Sequence, residues 1–254
     1  GKTVYYSRYG NDDPRIFEHR MGTPASEDKA IFGEGYTKRH GLACQVSEDG
    51  KHLVVTTFYG ASSDQTEVFV RPVAGGGKFQ PVIKGLKAKF SAEMIDGRLI
   101  VETTYQAPNG KVVEIDPANP EPGKWKTLIP EGKGVLQSVS AVAHRLVVVT
   151  TEDVMSRIRV YLPDGKLERE INLPGPGSTG GMLGRWESDE GFFIFTSFAT
   201  PSQVMRADFR AKTESVWFKP DVPVKTEDFE VKQVWFNSKD GTRVPMFLVH
   251  KKGL

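Results

Sequence analysis

A length of 254 residues is ample for a sizeable core, and 38% hydrophobic with 26% charged residues excludes disorder, while the dispersed 26 Gly and 16 Pro exclude collagen-like or low-complexity structure. The 34 basic and 32 acidic residues are interleaved and leave a net charge of +2, which offers no electrostatic case for nucleic acid or an anionic membrane. No apolar run approaches the roughly 20 residues of a membrane helix, and the single cysteine, Cys44, excludes an internal disulfide and sits in an apolar run as a small core residue.

In chain order, short β-rich segments alternate with Gly, Asp, Asn and Pro turn signals. Residues 2–9, 15–22 and 29–33 read as three strands. A set of four follows at residues 42–47, 52–59, 66–73 and 79–83, its first pair joined by Glu48-Asp49-Gly50. The next set occupies residues 88–95, 98–105, 111–116 and 125–129, with Asp96-Gly97 as a tight hairpin turn. A third runs through residues 136–142, 145–151, 157–162 and 166–173, and a fourth through 182–187, 192–198, 203–209 and 214–218.

The second strand of each set opens on a continuous apolar run and closes on Thr or Ser, as in Leu53-Val54-Val55-Thr56-Thr57 and Leu146-Val147-Val148-Val149-Thr150-Thr151. These runs recur about every 46 to 50 residues, a period suited to four-stranded blades. Such a run suits a strand covered on both faces; the fourth strands are more polar and belong at an outer edge. The pattern predicts an all-β fold, a partial β-propeller of four complete four-stranded blades plus three strands of another. Gly1 falls inside the second strand of its repeat, so the chain reads as a piece of a longer propeller. The faces left open at its terminal blades, with side chains such as Val4, Tyr6, Ile194 and Phe195, are candidates for self-association.

After Pro220 the pattern changes. Residues 221–228 have linker composition, and residues 231–236 and 244–249, joined by Ser238-Lys239-Asp240-Gly241, predict a β-hairpin that does not start a further blade. It is expected to open a second domain.

A search for chemistry finds no constellation. A nucleophile elbow needs glycines two residues either side of a serine; Gly175-Pro176-Gly177-Ser178-Thr179-Gly180-Gly181 has proline at the first of them and reads as a loop between blades. Gly75-Gly76-Gly77-Lys78 lacks the spacing and the strand-to-helix context of a phosphate loop. His19, His40, His52, His144 and His250 never fall at spacings that bring two onto one metal, so each reads as a surface or strand residue. Neither a metal nor a cofactor is implied.

The run Ser238-Lys239-Asp240-Gly241-Thr242-Arg243-Val244-Pro245-Met246-Phe247-Leu248-Val249-His250-Lys251-Lys252-Gly253 resembles the entry into the hydrolase domain of prolyl oligopeptidases. Phe195-Thr196-Ser197-Phe198 with Pro201-Ser202 is similar to that family's last-blade motif, and Ser47-Glu48-Asp49-Gly50 matches a blade turn. Pro108-Asn109-Gly110, Ile115-Asp116-Pro117 and Trp125-Lys126-Thr127-Leu128-Ile129-Pro130-Glu131 resemble a middle blade.

The resemblance implies a seven-bladed propeller over an α/β-hydrolase domain. Residues 1–220 would be later blades, 221–228 a linker and 229–254 the start of the peptidase domain. It implies a serine-type peptidase cleaving short peptides after proline, with this segment acting as a gate and inactive alone, since the Ser-Asp-His triad would lie beyond Leu254. Where members of the family place an arginine reaching the substrate backbone, at the end of a second strand, this chain has Phe58 followed by Tyr59, which become the candidate substrate-binding pair. An aromatic there can pack on substrate but cannot supply the arginine's hydrogen bonds. The partners implied are short proline-containing peptides, with no nucleic acid and no membrane, in a soluble cytoplasmic or periplasmic protein. The alternative is a stand-alone β-propeller that binds a protein or peptide.

Overall fold

The computed structural model describes residues 2–9, 13–60, 64–223 and 225–254. It divides into two compact units, Gly1–Glu131 and Gly132–Leu254.

In the first unit, β1 (Thr3–Arg8), β2 (Arg15–Arg20) and β3 (Lys29–Phe32) form an antiparallel meander. Two four-stranded meanders follow: β4 (His40–Val46), β5 (His52–Tyr59), β6 (Thr66–Pro72) and β7 (Gln80–Ile83), then β8 (Phe90–Ile95), β9 (Arg98–Thr103), β10 (Lys111–Ile115) and β11 (Lys126–Ile129). The sheets stack face to face, and β5 shows why its apolar run is continuous. Side chains alternate across a strand, so Val54 enters a core with Val68, Phe90, Leu99 and Val101 on one side. Its neighbour Val55 joins Ile16, Leu42 and Phe69 on the other. Each such valine or leucine contributes roughly 1.5–3 kcal/mol by leaving water.

In the second unit, β12 (Val135–Val142), β13 (Arg145–Glu152), β14 (Met155–Tyr161) and β15 (Leu167–Ile171) repeat the meander. The next sheet holds β16 (Ser178–Thr179), β17 (Leu183–Gly184), β18 (Glu190–Thr196), β19 (Gln203–Asp208) and β20 (Thr213–Phe218). Val147, Val149, Ile158 and Val160 of the first sheet pack on Phe193, Phe195, Met205 and Ala207 of the second. A separate hairpin, β21 (Phe229–Asn237) with β22 (Arg243–Lys251), pairs from Phe229↔Lys251 to Asn237↔Arg243. Within this unit the Gln233 side-chain amide donates to the Asp153 carbonyl at 2.6 Å, and the Phe247 and Phe198 rings lie 5.2 Å apart.

The fold is therefore a partial β-propeller of four complete blades preceded by three strands, as the repeat indicates. The second strands are more buried than the fourth: β13 has only buried and half-buried positions, four of them buried in a row, while β20 is exposed at five of its six. The third strands are as buried as the second, which the sequence pattern did not single out.

Three expectations need correction. The first strand of the fourth blade is not at residues 182–187: it is split, with Ser178↔Thr196 and Thr179↔Phe195 in one register and Leu183↔Phe192 and Gly184↔Gly191 one residue out of it. An extra residue in the Gly180–Met182 region is accommodated as a bulge. Part of the Gly175–Gly181 run, expected to be a loop, is thus strand. Phe195, expected on an open face, is 1% exposed and belongs to the core, whereas Ile194 beside it is 54% exposed.

Turn chemistry follows the sequence at Asp96-Gly97, with φ of +48° and +74°. The same two-residue left-handed turn recurs at Ala143-His144 and Asp153-Val154, where no glycine announces it. Among the described residues helical structure is limited to three 3-10 turns, Ala25–Glu27, Pro122–Lys124 and Thr226–Asp228. Among the described residues no helix is long and apolar enough to cross a membrane.

Candidate functional site

The candidate pair sits at the end of β5, where Phe58 pairs with Gly41 and Tyr59 with His40 on β4. Alternation sends the two side chains to opposite faces of the sheet, so they do not form one aromatic surface. The Phe58 ring lies over its cross-strand neighbour Gly41, in the space a Cβ there would occupy. An aromatic ring covering a strand glycine restores the packing that the missing side chain forfeits.

Tyr59 instead faces a cavity of about 330 Å³ within the first unit. Its ring meets His40 edge-on at 5.3 Å, and His40 meets Tyr36 edge-on at the same separation. Tyr36 comes from the connection between β3 and β4, so the wall joins that connection to the sheet of β4, β5 and β6. Its hydroxyl donates to Glu67 Oε2 at 2.6 Å. Burial, then that hydrogen bond to a carboxylate, hold the Tyr36 phenol well above the usual tyrosine range, so it stays a donor at any ordinary pH.

Glu34, Gly35, Thr57, Gln65 and Lys84 complete the lining. The Lys84 ammonium lies 6.0 Å from the Phe69 ring. Arg39 reaches the Tyr59 hydroxyl at 3.4 Å from outside the cavity.

This arrangement can hold a polar or charged group. It brings together one member of the expected pair, Tyr59, and leaves Phe58 on the other face. Tyr36, His40, Glu34 and Glu67 were not singled out for it, because they stand up to 33 residues apart and meet only through sheet pairing and stacking.

Elsewhere, His19 Nδ1 lies 2.7 Å from Asp28 Oδ1, and the Tyr6 hydroxyl donates to Asp28 Oδ2 at 2.6 Å. The hydrogen bonds from Tyr6 and then His19 hold the Asp28 carboxyl below the usual range. This trio works as a clasp joining β1 and β2 to the start of β3. Histidine spacing gives no sign of this clasp, since its members besides His19 are a tyrosine and an aspartate. Among the described residues no three His, Cys, Asp or Glu side chains gather as a metal set. A second cavity, about 310 Å³ beside β14 and β15, is lined by Arg157 and Glu170, whose charges pair at 3.5 Å.

Face-to-face stacking of antiparallel meanders, with a polar aromatic cavity at the strand ends, defines a protein of the β-propeller class. Residues 1–220 match the model of "Prolyl oligopeptidase, N-terminal beta-propeller domain", and the chain belongs to that family. It is 31% identical to a prolyl endopeptidase of Elizabethkingia miricola over 96% of this chain and 34% of that protein. A structure from a study of two prolyl endopeptidases superposes with a TM-score of 0.89 and 33% identity, covering all of this chain and 39% of that one. Prolyl oligopeptidase B from Galerina marginata also superposes with a TM-score of 0.89, at 25% identity, over 99% of this chain and 37% of its own. The chain thus spans about a third of the length of the curated relatives it matches.

Proposed function

We propose that this chain is the access-controlling portion of a serine-type peptidase that cleaves short peptides after proline. Residues 1–220 form the propeller part, 221–228 a linker, and 229–254 the opening hairpin of the domain that carries the catalytic groups. The observation that carries this reading is the likeness to a prolyl endopeptidase structure along the whole chain, hairpin included, at 33% identity. A stand-alone binding propeller would give no reason for that likeness to continue through β21 and β22.

In this reading the propeller limits entry by size and contacts the peptide at the end of β5. Phe58 supplies an apolar face on one side of the sheet and Tyr59 a ring with a hydroxyl on the other. Neither replaces a guanidinium as a fork of hydrogen-bond donors, so peptide binding here leans on packing and on the Tyr59 hydroxyl.

The segment has no route to acyl transfer by itself, which needs a nucleophile, its base and oxyanion donors together. The test is hydrolysis of a proline-containing chromogenic peptide by the full-length protein and by residues 1–254 alone. Turnover by the first and none by the second is expected. Turnover by the 254-residue chain after repurification, or none by the full-length protein, contradicts the reading.

A further inference from the structure

We propose that the cavity beside Tyr59 binds a cationic nitrogen of the peptide, an ammonium or guanidinium carried by a residue away from the cleaved bond. This rests on the peptidase reading and specifies which peptides that site favours.

The lining decides the sign of the guest. Two carboxylates, Glu34 and Glu67, face one ammonium, Lys84, within the same cavity. The Lys84 ammonium lies over the Phe69 ring at 6.0 Å, and the Arg39 guanidinium, 3.4 Å from the Tyr59 hydroxyl, stands outside the lining. Glu67 uses one oxygen to accept from Tyr36 at 2.6 Å, and an ionised carboxylate has acceptor sites to spare beyond one such bond. Among the described residues Glu34 has no ion-pair partner, and it lies at the exposed rim.

The wall adds a second attraction of the same sign. Tyr36, His40 and Tyr59 line the cavity as a run of rings in edge contact at 5.3 Å; one face of Tyr36 is stacked on Phe32, so the Tyr59 ring is the phenol whose negative face can draw a cation. Because the Tyr36 phenol keeps its proton, it stays a hydrogen-bond donor to Glu67. An anion would confront both glutamates. A purely apolar side chain would strip water from them without compensation. The volume of about 330 Å³ accommodates a lysine- or arginine-sized group and falls within the usual range of small-ligand sites.

The test uses the full-length protein and matched proline peptides that carry lysine or its uncharged analogue norleucine at each successive position along the peptide. At one position the lysine peptide is expected to be favoured in kcat/KM by roughly tenfold, the size of a cation–π contact reinforced by a carboxylate. Glu34→Gln, a change at an exposed residue that leaves the core intact, and Glu67→Gln should each shrink that lysine-to-norleucine ratio several-fold, and raised salt should do the same. If no position shows a ratio above about twofold, or if the ratio survives in the double variant, the inference is wrong while the peptidase reading stands. If neither peptide is cleaved, the peptidase reading fails instead. The cavity is then judged by n-butylammonium alone: NMR shifts at His40 and Tyr59 that vanish in the double variant uphold cation binding, and their absence overturns it.

Discussion

The Asp28 carboxylate shows how a single side chain contributes to the pH dependence of this fold. Two donors, Tyr6 and His19, grip it and depress its pKa. A carboxyl whose folded pKa is depressed adds stability above its unfolded value of about 3.9, and that contribution is lost as pH falls through the folded value. Asp28→Asn should therefore lower the thermal midpoint at neutral pH, with the gap to the parent closing under acid; a gap that stays constant from pH 7 to pH 3 would exclude the carboxylate as its cause. At Phe193, 1% exposed in the core between the last two blades, truncation has a different character. Phe193→Ala should cost about 3–5 kcal/mol in denaturant unfolding, with no pH dependence, because only transfer and cavity terms are involved. The first effect was illegible in the sequence, where Tyr6, His19 and Asp28 share no motif. The second was legible, since Phe193 lies in an apolar run recurring at the blade period.

At the scale of elements, strand order and the tight Asp96-Gly97 turn could be read from local chemistry because period, turn residues and pairing all agree. The split first strand of the fourth blade could not. Ser178–Thr179 is polar and flanked by glycines, and only the demand of Thr196 and Phe195 for partners makes it a strand. The cavity beside Tyr59 was equally hidden, since strand pairing of β4, β5 and β6 and the connections beside them bring its residues together. Turn geometry also carries a local cost. Val154 adopts φ of +66° while 57% exposed, a conformation that a β-branched residue reaches only against steric strain. The neighbouring Asp153 carbonyl accepts from Gln233 of the hairpin, which holds the turn in place. Val154→Asn should stabilise the protein by about 0.5–1 kcal/mol, since asparagine tolerates the left-handed region. An unchanged or lower unfolding midpoint would show that the valine side chain contributes contacts exceeding that strain.

For the whole molecule, the outermost strand of the last blade presents Val216, Trp217 and Phe218 at 51%, 63% and 59% exposure, beside Ile194 at 54%. Trp217 meets Phe192 edge-on at 5.5 Å, and Phe218 lines up across β19 with Val204 and Ile194, so Trp217, Phe218, Phe192 and Ile194 share one face of the sheet. Produced as 254 residues alone, the chain should self-associate in a concentration-dependent manner by sedimentation velocity, and Trp217→Lys should weaken that association. A monomer at every concentration would show that the face is too small to drive assembly. The central claim is that the propeller part decides which substrates reach the catalytic groups of the full-length protein. The direct measurement is cleavage of one proline-containing sequence by that protein in two settings, as a short free peptide and within an exposed loop of a folded protein. The account predicts cleavage of the peptide and protection of the folded protein; comparable rates for the two would contradict it.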